Sequence, residues 1–241
     1  MFVIGLDTSG LVGSVALLRD GELLAERSLG EAGRRHAQSL VLELHELLQS
    51  HGAKPLDVQV VAVSKGPGSF TGLRVGLVCA KTFAYATGCQ FVAIDTFEAI
   101  ADNCPIEVRD VWIVENAQRG DLFAGRYARD ESGLWRPAGP IQTVAAEEWL
   151  AARTAEETIT GPGLAHADLQ AVRARLLTDD AVARPRASAI ARLGQRRQLT
   201  RDTAPPSDDF DFWKAVPLYI RTSAAEEKRG KQSETSAAPS S

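Results

Sequence analysis

Cysteine is scarce in this chain: Cys79, Cys89 and Cys104 in 241 residues, with no Cys-x-x-Cys pair. An odd count of unclustered cysteines argues against a disulfide framework and suits a reducing cytoplasm. Histidine is nearly as thin, and His36, His45, His51 and His166 form no metal-ligand pair. Long apolar runs are missing too, none approaching the roughly 20 residues that a membrane span needs. The opening "MFVIGLDTSG" lacks a basic start, so it reads as a first strand and not as a signal peptide. Positive charge is not in excess: 27 Lys and Arg against 31 Asp and Glu leave a net charge of -4. A protein that grips RNA unaided is more often basic. The one basic cluster, Arg184, Arg186, Arg192, Arg196, Arg197 and Arg201, reads as the solvated face of a helix.

What is present is an ordinary globular composition, 44% hydrophobic and 24% charged, enough for a real core in one large domain or two small ones. "FVIGLDT" and "GSVALLRDGELLAERSL", the latter folded at "RDG", predict three consecutive strands. Leu40, Val41, Leu44, Leu47 and Leu48 follow at helical spacing, with Gly52 just past the end. A strand over 57–64, a glycine loop, a helix to about Thr87, the strand "CQFVAID" and a short helix from Thr96 complete a first unit. A weaker copy follows: strands at "DVWIVENA", "DLFAGRYARD" and roughly 134–143, a helix over 145–156, the strand "TIT" and a second loop, Gly161-Pro162-Gly163, leading into a helical stretch. Two strand-rich α/β units predict two similar lobes, 1–104 and 105–222, joined near Asn103–Glu107. Residues 223–241 hold nothing large to bury and read as a disordered tail.

The loop "SKGPGSFTGLRVG" has the order of parts of a phosphate cradle: strand, glycines, helix. Its details fit neither common motif. A Walker loop needs Lys and Ser/Thr after its second glycine, and here Leu73 and Arg74 follow Gly72. The dinucleotide fingerprint counted from Gly66 meets Thr71 at its sixth position. Gly72, Gly76, Ala80, Ala84 and Gly88 instead recur every four residues along one helix row, which permits close backbone approach. Two packings suit that row, one inside its own domain and one against a partner. Arg74, in the first helical turn, opposes the helix dipole and is expected to serve an anion or a partner. The turn Asp7-Thr8-Ser9, with Gly68 and Ser69 at the opening of the helix, is the candidate anion or nucleotide contact. A turn whose short polar side chains satisfy local amides explains Asp7-Thr8-Ser9 equally. Glu147 and Glu148 diverge on a helix and cannot face one another as acid and base, and Ser69 lies in no Gly-x-Ser-x-Gly elbow.

"GPGSFTGLRVG", "IGLDTSG" with "GSVALL", "RRHAQSL" and "PLYIR" together resemble the TsaB family, the dimerisation subunits of the bacterial tRNA threonylcarbamoyladenosine synthase complex. The likeness runs over roughly residues 1–130 and resumes at 217–221. It implies a two-lobed actin-like (ribonuclease H-like) α/β fold, each lobe a mixed sheet with flanking helices. It also implies a non-catalytic scaffold without a cofactor, which binds the transferase TsaD as a heterodimer. The ATPase TsaE then assists turnover, and tRNA is reached only through the complex. Separately, an exposed apolar helix face is costly to leave uncovered, so a homodimer in isolation is one possible state of the free chain. The pairing helices implied are about 35–51 and 71–87, with His36, Leu40, Leu44, Leu47, Gly72, Arg74, Gly76, Ala80 and Ala84 as interface residues. TsaD-like chains carry His-x-x-x-His where this sequence has Thr96 and Ile100, so no metal is expected there. Asn116 and Gln118 replace a charged pair of the family. Competing readings are an independent actin-like ATPase or kinase, resting on Asp7 and the glycine loop, and proteolysis of a partner.

Overall fold

The computed structural model describes residues 1–31, 36–201 and 207–220. The strand–turn–strand pattern at the N-terminus folds as β1 (Phe2–Asp7), β2 (Val12–Arg19) and β3 (Glu22–Glu31). Helix α1 (His36–Ser50), β4 (Val58–Ser64), α2 (Phe70–Thr87), β5 (Gln90–Ile94) and α3 (Thr96–Asp102) follow. They build a five-stranded mixed sheet of order β3-β2-β1-β4-β5, with β1 antiparallel to β2 and parallel to β4. The central strands are apolar almost throughout because both faces of the sheet are covered.

One face is covered by α1 and α2. Leu40, Leu44, Leu47 and Leu48 of α1 and Leu77, Ala80 and Ala84 of α2 pack there with Ile4, Leu6, Val61 and Val63. Ser69 caps α2 by accepting from the Gly72 amide at 3.2 Å, and Gly88, at φ 72°, ends it in the left-handed conformation.

The second sheet has six strands: β6 (Asp110–Gln118), β7 (Asp121–Arg129), β8 (Trp135–Pro137), β9 (Gln142–Ala145), β10 (Thr158–Thr160) and β11 (Arg175–Leu177). Its main order is β11-β10-β6-β7-β8. The single strand expected over 134–143 is two short ones, because Pro137 and Pro140 bracket a break. β8 pairs with Tyr127–Arg129 of β7, and β9 pairs with Asp121–Ala124. The helix expected over 145–156 is the shorter α4 (Ala146–Ala151), since Glu157 turns back to accept from the Thr154 amide at 2.8 Å. The second glycine loop opens a 3-10 turn over Pro162–His166, not an α-helix.

The chain then passes α5 (Asp180–Ala183) and enters α6 (Ala187–Leu199). A division into consecutive lobes at residue 104 assigns α6 to the second lobe. In the structure it lies on the free face of the first sheet, packing Ala189, Ile190, Ala191 and Leu193 against Val3, Val60, Ala62 and Val92. Small residues allow that approach. A Cβ on Gly5 would fall inside the Ala187 carbonyl oxygen, and one on Gly194 inside the Ala62 side chain.

The arginine cluster is also not a free solvated face. Arg186 binds Glu26 at 2.7 Å, Arg192 and Arg196 both bind Asp102, and Arg197 binds Glu98. Arg184 pairs with Asp180 at 3.0 Å, and Arg201 donates to Gln90. Four of the six therefore fasten α6 to β3 and α3. After α6, residues 207–220 run as an irregular strap along α2. The proposed tail over 223–241 lies outside the described residues. No helix among the described residues is long and apolar enough to cross a membrane.

Candidate functional site

A cleft of about 1660 Å³ separates the two sheets. Its walls are the β1–β2 turn and the start of α2 on one side, and the end of β6 with the 161–166 loop on the other. The strap closes one edge with Leu218, Tyr219 and Ile220.

The Asp7-Thr8-Ser9 turn is bound into local structure. The Ser9 amide and hydroxyl donate to Asp7 Oδ1 at 3.2 and 2.7 Å. Thr8 Oγ1 donates to the Gly72 carbonyl at 2.7 Å, and the Ser69 amide donates to the Ser9 carbonyl at 2.7 Å. Gly68, at φ 153°, lets the loop lie so close that a Cβ would sit 2.6 Å from the Ser9 oxygen. Asp7, Thr8, Ser9, Gly68 and Ser69 thus lie together, knitted to one another around the first turn of α2.

This geometry corrects the reading of the small-residue row as a partner surface. Cβ atoms added at Gly72 and Gly76 would run into the carbonyl oxygen and the hydroxyl of Thr8. Ala80 and Ala84 are buried in the first core, as are Leu40, Leu44 and Leu47 of α1. The row serves the approach of α2 to its own sheet, so those seven residues face inward. Arg74 is exposed, as an interface residue should be, yet it has an internal position. Its guanidinium lies 3.9 Å above the Phe70 ring and its Nε donates to Tyr219 Oη at 3.1 Å. The side chain of His36 lies outside what the structure describes.

Helices α1 and α2 turn a different set outward. Val41 and Leu42 are 62% and 54% exposed, and Val78 and Tyr85 are 63% and 72% exposed. The periodic leucines that flagged α1 also placed Val41 in the apolar pattern, and Val41 is the member of that pattern that stays exposed. Scattered exposed apolar residues are ordinary; these four lie on the outer sides of two helices that pack against each other.

Across the cleft, Glu115 was not singled out by its sequence. It interrupts the apolar run "VWIV" at the end of β6. Burial pushes its carboxyl up to about 7, the Asn116 amide donating to Oε1 at 2.7 Å works against that rise, and the nearby Asp7 charge adds to it. Asn116 holds the β6–β7 turn by accepting from the Gln118 amide at 2.7 Å. Gln118 and Arg119 both have positive φ (66° and 59°) in that turn.

Thr96 and Ile100 are buried: Thr96 Oγ1 accepts from the Gly66 amide at 3.1 Å, and Ile100 lies in the second core. Among the described residues no group of three or more His, Cys, Asp or Glu is placed to hold a metal. Glu147 and Glu148 are exposed on α4, away from the cleft.

Two mixed sheets flanked by helices, with a cleft between them, define a two-lobed α/β protein of the actin-like class. A family model for TsaD, the tRNA N6-adenosine threonylcarbamoyltransferase, matches residues 30–229, and the chain belongs to that family. Among curated relatives, the tRNA threonylcarbamoyladenosine biosynthesis protein TsaB of Bacillus subtilis is 31% identical over 62% of this chain and 65% of its own. The Escherichia coli protein of the same description is 29% identical over 56% and 58%. The matched region is thus less than two thirds of either relative. A solved Pseudomonas aeruginosa structure, described as similar to peptidase YeaZ, superposes with a TM-score of 0.75 at 25% identity, covering 91% of this chain and 99% of that one.

Proposed function

We propose that this chain is a TsaB-type subunit of the tRNA threonylcarbamoyladenosine pathway: a non-catalytic scaffold that binds a TsaD-type transferase. The observation that carries the reading is the apolar patch of Val41, Leu42, Val78 and Tyr85 on two adjacent helices of the first lobe. The inward faces of α1 and α2 are spent on the core, so these outer faces are what a partner meets. Their exposed apolar area suits a helix pair from a partner of similar fold. A non-catalytic role agrees with Thr96 and Ile100 at the positions where TsaD-like chains carry histidines. TsaE and tRNA are then engaged through the complex, and the same patch supports a homodimer when the partner is absent.

Mixing purified chain with the transferase and measuring mass by light scattering tests the reading. A heterodimer is expected for wild type and none for Val78→Asp. Equal association by both proteins refutes the assignment of the patch.

A second reading, an independent actin-like ATPase or kinase, draws on the open cleft lined by Ser9 and Glu115, with the Asp7 carboxyl buried behind Ser9 and close enough to act on Glu115. Magnesium-dependent ATP binding in calorimetry would favour it, and its absence would remove it.

A further inference from the structure

The strap of residues 207–220 is anchored at its start, where Phe210 and Phe212 pack against the two faces of the first sheet, and is held beyond that mainly by polar contacts. Ala215 is its only buried residue among those described, while Trp213 and Val216 are 75% and 64% exposed. Its root is Asp209, which binds Lys65 at 2.5 Å and Arg197 at 3.5 Å. Further along, the Leu218 amide donates to the Lys65 carbonyl at 2.7 Å. Past Phe212 little apolar surface is buried, and such a segment can open while the core stays folded.

The strap also consumes the charge of α2. That helix carries no acidic residue, and its only charged side chains are Arg74 and Lys81. Both point their donors at the strap: Arg74 to Tyr219 Oη at 3.1 Å, and Lys81 Nζ to the Ala215 carbonyl at 2.6 Å. Phe70 stacks on Tyr219 with ring centroids 5.0 Å apart, and Tyr85 meets the edge of Trp213 at 6.2 Å.

We propose that residues 207–220 form an autoinhibitory clasp on α2, locked at Asp209, whose lifting frees the Arg74 and Lys81 side chains and uncovers Phe70 for the partner. The inference rests on the reading of α2 as a partner face and adds its regulation. With the strap down, α2 offers an apolar ridge with both cations occupied. With the strap lifted, it offers the same ridge flanked by two free cations, which suits a partner helix edged with carboxylates. A binding-competent state that is only partly populated weakens the apparent affinity by that fraction.

The test combines two readouts on the full chain. In hydrogen exchange, Asp209→Asn is expected to speed the amides of Lys214, Ala215 and Leu218 by about tenfold, with β1 unchanged. In calorimetry with the transferase, the same variant is expected to bind about threefold or more tightly. Tyr219→Phe, which keeps the ring stack and removes the hydroxyl that holds Arg74, is expected to act in the same direction. Unchanged strap exchange overturns the lock at Asp209, and faster exchange with equal or weaker partner binding overturns the inhibition. Val78→Asp separates the two levels: if it leaves partner binding intact, α2 is not the partner face and the masking falls with that reading, whatever the strap does.

Discussion

The two glycine loops sit at equivalent places in the two lobes and end differently. In the first lobe, Gly68, Gly72 and Gly76 bring α2 hard against Ser9 and Thr8 at the end of β1. In the second, Gly161 and Gly163 bring the loop against Val114 and Glu115 at the end of β6. Both loops are shaped by close approach, to backbone at Gly68, Gly72, Gly161 and Gly163 and to the Thr8 hydroxyl at Gly76, and Gly68 and Gly161 also take positive φ. What differs is the sequel. After Ser69 comes a capped helix of 18 residues with an outward ridge; after Gly161 comes a 3-10 turn of five. A loop that resembles a phosphate cradle is therefore first a packing device, and in the first lobe it leads into the long helix on which the proposed partner face rests.

That comparison breaks most sharply at the glycines. Gly72→Ala places a methyl group inside the Thr8 carbonyl and is expected to cost about 4 kcal/mol or more, read from urea unfolding. Gly163→Ala meets the Glu115 backbone at 3.0 Å and is expected to cost about 1–3 kcal/mol. Equal costs would mean that the two loops pack alike and that the helix, not the close approach, sets the demand.

Ile190→Ala asks whether α6 belongs energetically to the first lobe. Emptying its fully buried site is expected to cost about 2–5 kcal/mol and to loosen hydrogen-exchange protection in β1 and β4 before that of β7. Loss confined to the second sheet would restore a consecutive division of the lobes.

The cleft supplies a smaller, pH-dependent effect. The Glu115 carboxyl is raised from its ordinary 4.5 to about 7, so the folded state favours the protonated acid. Its stabilising contribution is full below about 4.5 and is lost as pH rises through about 7. Glu115→Gln should therefore match wild type near pH 4 and exceed it by about 1–2 kcal/mol near pH 8, with partial exposure reducing the ideal figure. A difference independent of pH would show that Asp7 and burial do not set this titration. The smallest effect on stability is expected for Val78→Asp, within about 0.5 kcal/mol of wild type, because the side chain is exposed. Its consequence lies in partner binding alone.

Much of the first lobe was legible from local pattern. The leucine spacing of α1, Ser69 before α2 and Gly88 after it are signals within one or two turns of chain, and the elements fall close to where those signals put them. The candidate site was legible only in part. The spacing of Gly72, Gly76, Ala80 and Ala84 marks a close approach, but periodicity cannot say what lies on the other side, and here it is Thr8. Glu115 left the weak mark of one acid at the end of an apolar strand. Asp7, 108 positions earlier, gives it meaning only once two sheets face each other.

The same limit explains α6 and the strap. Helical periodicity and the arginines of 184–201 are properties of neighbouring residues, so the chain's order of elements, its caps and its turns follow from short stretches. The seating of α6 on Gly5 and Ala62, the pairing of Arg186 with Glu26, and the reach of Asp209 back to Lys65 join residues more than 120 positions apart. Such contacts depend on two surfaces matching in shape and charge after the chain has turned many times, and no local pattern carries that information.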